Sequence, residues 1–183
     1  ATYQLAEAFM HFHNDLFAFL LLMGAVPVLA HFIAKWQGLA GLSSYKLSWN
    51  ANSKKLLATG LLSGVITYTL SFIISLSTGR EIIQANMQPG IGPLVKVMLC
   101  IAGTFLPSIA EDIITRGYLY TVFGSRWNKV IFVIVSSLLY VLNHTYKLTA
   151  HDEGLLYLFI TGIALAIPLV LTNSLWFTIG LHW

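Results

Sequence analysis

The sequence predicts an all-helical membrane protein, a polytopic bundle of about six transmembrane helices. Its 183 residues are 57% hydrophobic and only 9% charged, whereas a soluble domain carries roughly 25% charged residues. The apolar residues form runs that approach the roughly 20 residues a helix needs to cross the hydrocarbon core of a bilayer. Turn-forming residues separate these runs. We therefore expect a single integral membrane domain over residues 1–183.

Each candidate span is bounded by polar or turn-forming residues. The first 15 residues mix aromatic and polar side chains, so we expect them to lie in the membrane interface. The motif-bearing core runs from about residue 94 to residue 183. The last hydrophobic run is still inside a predicted helix when the sequence stops at residue 183. We therefore expect that the sequence is truncated at its carboxyl-terminal end. The candidate spans are residues 16–34, 56–77, 94–120, 130–144, 155–171 and 174–183.

Local chemistry supports several of these elements. In the second span, Gly60 and Gly64 form a small-xxx-small pattern, which predicts close packing against another helix of the same chain. In the third span, Pro107 removes one backbone hydrogen bond and predicts a bend before Glu111. Before the last span, Ser174 follows a turn and can cap a helix through its hydroxyl.

Basic residues predict the membrane orientation. The loop at 35–55 carries four lysines, and the loop after the third span carries Arg126 and Lys129. Because basic loops stay in the cytoplasm, we expect the amino terminus outside. There is no basic cluster interleaved with aromatic residues, so nucleic acid is not an expected partner. Membrane lipid is an expected partner.

A charged motif interrupts the third span, where Glu111, Asp112 and Arg116 lie within an apolar segment. Ionisable groups at membrane depth cost several kcal/mol and mark functional sites by default. Asp112 and Arg116 are four residues apart, so they share a helix face and can form a structural ion pair. Glu111 is about 100° away around the helix and has no partner at helical spacing. If water reaches Glu111, its carboxylate can act as a general base.

Two histidines lie in other predicted spans. His144 ends the fourth span, with Tyr140 on the same face one turn earlier, and His182 lies in the last apolar run. Either histidine alone is more often an interfacial residue than a functional one. Together with Glu111 they form a set of groups with a known chemistry. The carboxylate can take a proton from water, and the two imidazoles can bind an oxyanion or a metal ion.

These residues resemble the motifs of one family. The order Glu-Asp-x-x-x-Arg, Tyr-x-x-x-His and Gly-Leu-His over residues 107–183 resembles the CPBP family, also called the ABI family. Its members are type II CAAX prenyl endopeptidases and bacteriocin-processing or self-immunity proteins. The family pattern is Glu-Glu-x-x-x-Arg, Phe-x-x-x-His and His-x-x-x-Asn, each on a membrane helix.

The resemblance implies an intramembrane endopeptidase of the bacterial inner (cell) membrane and a role for each residue. Glu111 would activate the hydrolytic water, and His144 and His182 would bind the oxyanion, directly or through a divalent metal such as zinc. If a metal is present, these three residues would be its ligands. Asp112, Arg116 and Tyr140 would be supporting residues. The substrate would be a peptide or protein, either prenylated or similar to a bacteriocin.

The sequence departs from the family pattern at three positions. Asp112 replaces the second Glu, Tyr140 replaces Phe, and the Asn expected four residues after His182 lies beyond the last residue. Two other functions therefore stay open. One is a catalytically silent membrane immunity or binding protein of the same fold. The other is a proton-coupled transporter, although the related halves and paired broken helices of a transporter are not evident in the sequence.

Overall fold

The chain folds as a bundle of helices. A computed structural model describes residues 15–83, 92–124, 126–144 and 152–183, so the segment expected in the interface lies almost entirely outside the described residues. A 3-10 turn at Gly41–Tyr45 follows the first helix, and a π-helical segment at Ile113–Tyr118 joins the third helix to the fourth. The α-helices are α1 (Leu16–Trp36), α2 (Ala51–Ser77), α3 (Pro93–Asp112), α4 (Leu119–Phe123), α5 (Lys129–Asn143), α6 (Asp152–Thr172) and α7 (Leu175–His182).

Four helices in the described part of the chain are long and apolar enough to cross a membrane. They are Leu16–Trp36, Ala51–Ser77, Leu94–Phe123 and Gly154–Thr172. The predicted helical membrane bundle is therefore confirmed. The other two predicted spans are shorter. Helix α5 has 15 residues and α7 has 8, or about 22 Å and 12 Å, against a hydrocarbon core of roughly 30 Å.

Many large apolar side chains are exposed, whereas the charged motif of the third span is buried. Trp36 is 87% exposed and Leu171 is 75% exposed. Glu111 is 3% exposed, and Asp112 and Arg116 are 0% exposed. In water the charged groups would be exposed and much of the apolar surface would be buried. This arrangement, together with the four long apolar helices, is that of an integral membrane protein.

Capping side chains fix several helix starts. Asp15 accepts the backbone N–H of Ala18 at the start of α1, and Asn50 and Ser53 form a reciprocal capping box at the start of α2. The predicted cap at Ser174 is confirmed, because its hydroxyl accepts the N–H of Trp176. These interactions satisfy backbone donors that the first helical turn leaves without partners.

Helix α7 packs closely against α2 because glycines line the contact. A Cβ atom built on Gly64 would lie 2.8 Å from the carbonyl oxygen of Leu181, and one built on Gly180 would lie 2.7 Å from the backbone nitrogen of Leu61. A Cβ atom built on Gly60 would lie closer still, against the carbonyl oxygen of Phe177. The small-xxx-small prediction is therefore confirmed, and the close contact fixes the helix that ends at His182.

The third span is irregular at a place that the sequence did not indicate. Helix α3 continues through Pro107, and the departure from α-helical hydrogen bonding begins at Ile113. Within the π-helical segment, the carbonyl of Thr115 accepts a hydrogen bond of 3.1 Å from the hydroxyl of Ser136 on α5. Short π-helical stretches are rare and often lie at functional sites. This one begins two residues after Glu111.

Candidate active site

Three helix ends bring Glu111, His144 and His182 together. Glu111 lies in the last turn of α3 and is 3% exposed, His144 caps α5, and His182 ends α7. His144 Nδ1 is 3.5 Å from Glu111 Oε1, and His182 Nε2 is 3.7 Å from Glu111 Oε2. Residues from three separate parts of the sequence therefore form one cluster, as we expected if they share a site.

Asp112 and Arg116 form the ion pair that their spacing predicted. Both side chains are completely buried, and Arg116 Nη1 donates to Asp112 Oδ1. The other oxygen, Asp112 Oδ2, faces His182 Nδ1 at 3.5 Å. The guanidinium carbon of Arg116 lies 5.1 Å from the centre of the Tyr140 ring, within the range of a cation–π interaction. The pair thus joins the end of α3 to the π-helical segment and also contacts the group around Glu111.

His182 lies between the two carboxylates. Its Nε2 faces Glu111 and its Nδ1 faces Asp112, at 3.7 Å and 3.5 Å. The sequence placed the two acids on different helix faces, about 100° apart. Both acids reach the same imidazole, because its two ring nitrogens lie on different sides of the ring. Asp112 is therefore a neighbour of the candidate site as well as the partner of Arg116.

Sequence reasoning did not identify Asn143 as a site residue. Its side-chain Nδ2 donates to Glu111 Oε1 over 3.2 Å in a buried contact. Glu111, which has no partner at helical spacing, thus has neighbours on two other helices. The sequence contains a signal for this role, since Asn143 lies inside an apolar run and next to His144. Burying a side-chain amide in such a run is costly unless the amide is hydrogen-bonded.

Tyr140 connects the two histidines. Its backbone carbonyl is 2.8 Å from His144 Nδ1, and since a carbonyl only accepts, this nitrogen must carry the proton. The Tyr140 ring centre lies 4.6 Å from that of His144 and 6.0 Å from that of His182. Tyr140 therefore orients His144 through its backbone and packs against both imidazoles through its ring.

The cluster holds more negative than positive groups. The carboxylates of Glu111 and Asp112 are both buried, and the guanidinium of Arg116 donates to Asp112. Because buried charges are costly unless they are paired or hydrogen-bonded, Glu111 depends on other neighbours. These are the amide of Asn143 and the imidazoles of His144 and His182.

The cluster is most accessible beside His182. The side chain of His182 is 17% exposed, compared with 8% for His144 and 4% for Glu111. Helix α7 starts at the level of the 3-10 turn, where the N–H of Leu175 donates to the carbonyl of Lys46. Helix α7 is about 12 Å long and carries His182 at the opposite end from Leu175. The hydroxyl of Ser108 holds the carbonyl of His182 at 3.3 Å.

A metal ion fits the cluster in ligand type but not in arrangement. One carboxylate and two imidazoles are ligands that zinc accepts. However, among the residues described by the structure, no group of three or more His, Cys, Asp and Glu side chains is arranged to hold an ion. The Nδ1 of His144, which is the nitrogen nearest Glu111, also donates to the Tyr140 carbonyl. The proposed mechanism therefore uses protein side chains alone.

Comparison with known proteins gives one family match. Residues 93–183, about half of the chain, match a family model described as type II CAAX prenyl endopeptidase Rce1-like. The matched segment belongs to the Rce1-like family. This result confirms the family resemblance predicted from the motifs, and the whole Glu111 cluster lies inside the matched segment. Comparisons with curated proteins and with solved structures gave no match.

The Rce1-like match indicates the general class of function. It is a protease family, which supports a peptidase with a peptide or protein substrate. Helices α1 and α2 precede the matched segment, and α2 packs against the helix that carries His182.

Proposed function

We propose that this Rce1-like chain is an intramembrane endopeptidase of the CAAX type in which Glu111 activates the hydrolytic water. The observation that carries this proposal is a buried glutamate faced by two histidines from two other helices, at 3.5 Å and 3.7 Å. A base and two imidazoles, with the side chain of His182 17% exposed, are groups that can catalyse the hydrolysis of a peptide bond.

The reaction follows from the positions of these groups. Glu111 takes a proton from water as the water oxygen forms a bond to the carbonyl carbon of the peptide. Charge then develops on the carbonyl oxygen, and an N–H group of His182 stabilises it. His144 takes part through a protonated Nε2, because its Nδ1–H donates to the Tyr140 carbonyl. The C–N bond breaks, and Glu111 returns the proton to the leaving amine. Arg116 keeps Asp112 paired, so that Asp112 can orient His182 without leaving an uncompensated charge.

We propose a prenylated peptide or protein as the substrate, because that is the class named in the description of the family model. A bacteriocin-like peptide is the other class that we consider. Both would reach the site from the bilayer of a cell membrane, since the cluster lies within the helical bundle.

The test is hydrolysis by purified protein in lipid vesicles. The substrates are a farnesylated CAAX peptide, the same peptide without the prenyl group, and a bacteriocin-like leader peptide, with products identified by mass spectrometry. Glu111→Gln keeps the size of the side chain but cannot take a proton. We expect its rate to fall about 10²–10⁴-fold, with no change in folding.

Glu81→Gln is the matched control, because it makes the same chemical change at an exposed position outside the cluster. Hydrolysis by Glu111→Gln at the wild-type rate would rule out Glu111 as the base. If wild-type protein cleaves none of the three peptides but binds one of them, the result would favour the catalytically silent protein of the same fold.

A further inference from the structure

We propose that Asn143 is a positioning residue that holds the Glu111 carboxylate in the orientation needed to take a proton from water. This inference rests on the proposed function, since it assigns a partner to the proposed base. The observation that supports this proposal is the 3.2 Å hydrogen bond from Asn143 Nδ2 to Glu111 Oε1.

The direction of this hydrogen bond is fixed by chemistry. A carboxylate only accepts, so the amide must present its NH2 group to Glu111. Asn143 is 9% exposed and Glu111 is 3% exposed, and hydrogen bonds to charged groups are stronger than those between neutral groups. The interaction is therefore suited to fixing a side chain that carries three rotatable bonds.

The hydrogen bond also distinguishes the two oxygens of Glu111. Oε1 accepts from Asn143 and lies 3.5 Å from His144 Nδ1, whereas Oε2 lies 3.7 Å from Nε2 of His182, the most exposed side chain of the three. With Oε1 held by the amide, Oε2 is the oxygen turned toward the accessible side of the cluster. We therefore assign the proton transfer from water to Oε2.

Asn143 neighbours His144 in sequence, and both lie at the end of α5. One helix end thus supplies the amide that contacts Glu111 and a proposed oxyanion donor. A change at Asn143 that leaves the helix in place should alter the chemical step more than substrate binding, because the amide contacts the base.

Three variants test this role. Asn143→Leu is similar in size and lacks the donor, Asn143→Asp keeps the shape but replaces the donor with an acceptor, and Asn143→Gln keeps the amide. We expect kcat to fall about 10–100-fold in Asn143→Leu with KM unchanged, as for the loss of one hydrogen bond to a charged group. We expect a larger loss in Asn143→Asp and the smallest in Asn143→Gln.

The order of these variants separates positioning from packing. If Asn143 only packs the helix end, Leu, which is similar in size, should be tolerated at least as well as the longer Gln. The control is Asn128→Asp at the other end of α5, where the side chain accepts the N–H of Val130 and Asp can do the same; its kcat should not change. If Asn143→Leu fails to fold, the comparison of Gln with Asp carries the test.

The outcomes distinguish this inference from the proposed function. Activity of Glu111→Gln at the wild-type rate overturns both, because Glu111 is then not the base. If Glu111→Gln is inactive and the Leu and Asp variants of Asn143 keep the wild-type kcat, only the positioning role is wrong. The same is true if Asn143→Asp is at least as active as Asn143→Gln.

Discussion

The buried ion pair between Asp112 and Arg116 gives a quantitative prediction about stability. In Arg116→Leu, the Asp112 carboxylate would lose the guanidinium that donates to Oδ1, while Oδ2 accepts no hydrogen bond within the described residues. Both side chains are fully buried, so water cannot replace the lost partner without a change in structure. Breaking a buried pair from one side costs about 3–5 kcal/mol. At about 2–4 °C per kcal/mol for a protein of this size, the melting temperature should fall by roughly 6–20 °C.

The measurement is a thermal melt in detergent of the wild type, Arg116→Leu, Asp112→Leu and the double variant. The double variant should recover most of the lost stability, because replacing a buried pair with apolar residues is often neutral or stabilising. It should remain less active than the wild type, since Asp112 also faces His182. Arg126→Ala is the control, because Arg126 is exposed. If Arg116→Leu melts with the wild type, water solvates these charges and no buried pair contributes to stability.

Two further predictions concern helix packing and metal binding. Gly180→Ala should cost about 1–3 kcal/mol through overpacking and reduce activity by displacing His182, because its Cβ would meet the backbone of α2. Gly103→Ala, whose Cβ has no atom within 4 Å, is the matched control in a thermal melt and an activity assay, and equal effects of the two changes would contradict the packing argument. Because the His144 nitrogen nearest Glu111 donates to the Tyr140 carbonyl, protein dialysed against zinc and then against zinc-free buffer should retain less than one ion per chain by elemental analysis. One tightly held zinc ion per chain, lost together with thermal stability on chelation, would refute that expectation.

Short-range features of this protein could be predicted from the sequence because they depend on neighbouring residues. The apolar runs predicted a helical membrane protein, the four-residue spacing of Asp112 and Arg116 predicted their pair, and the turn before Ser174 predicted a helix cap. The glycines of α2 likewise predicted close packing, although not that α7 would be the partner. Each of these depends on helix geometry and on the apolar solvent of the membrane, which are the same wherever the helix lies in the bundle.

The arrangement of the candidate site was decided by tertiary structure. The pattern of motifs selected Glu111, His144 and His182, but their separations depend on where α3, α5 and α7 end relative to one another. The described residues of α5 and α7 both reach the cluster, at His144 and His182. The contact between Asn143 and Glu111 joins residues 32 apart in sequence, and His182 meets both acids from a third helix. Helical periodicity gives the direction of a side chain on its own helix, whereas its neighbours on other helices depend on the packing of the whole bundle.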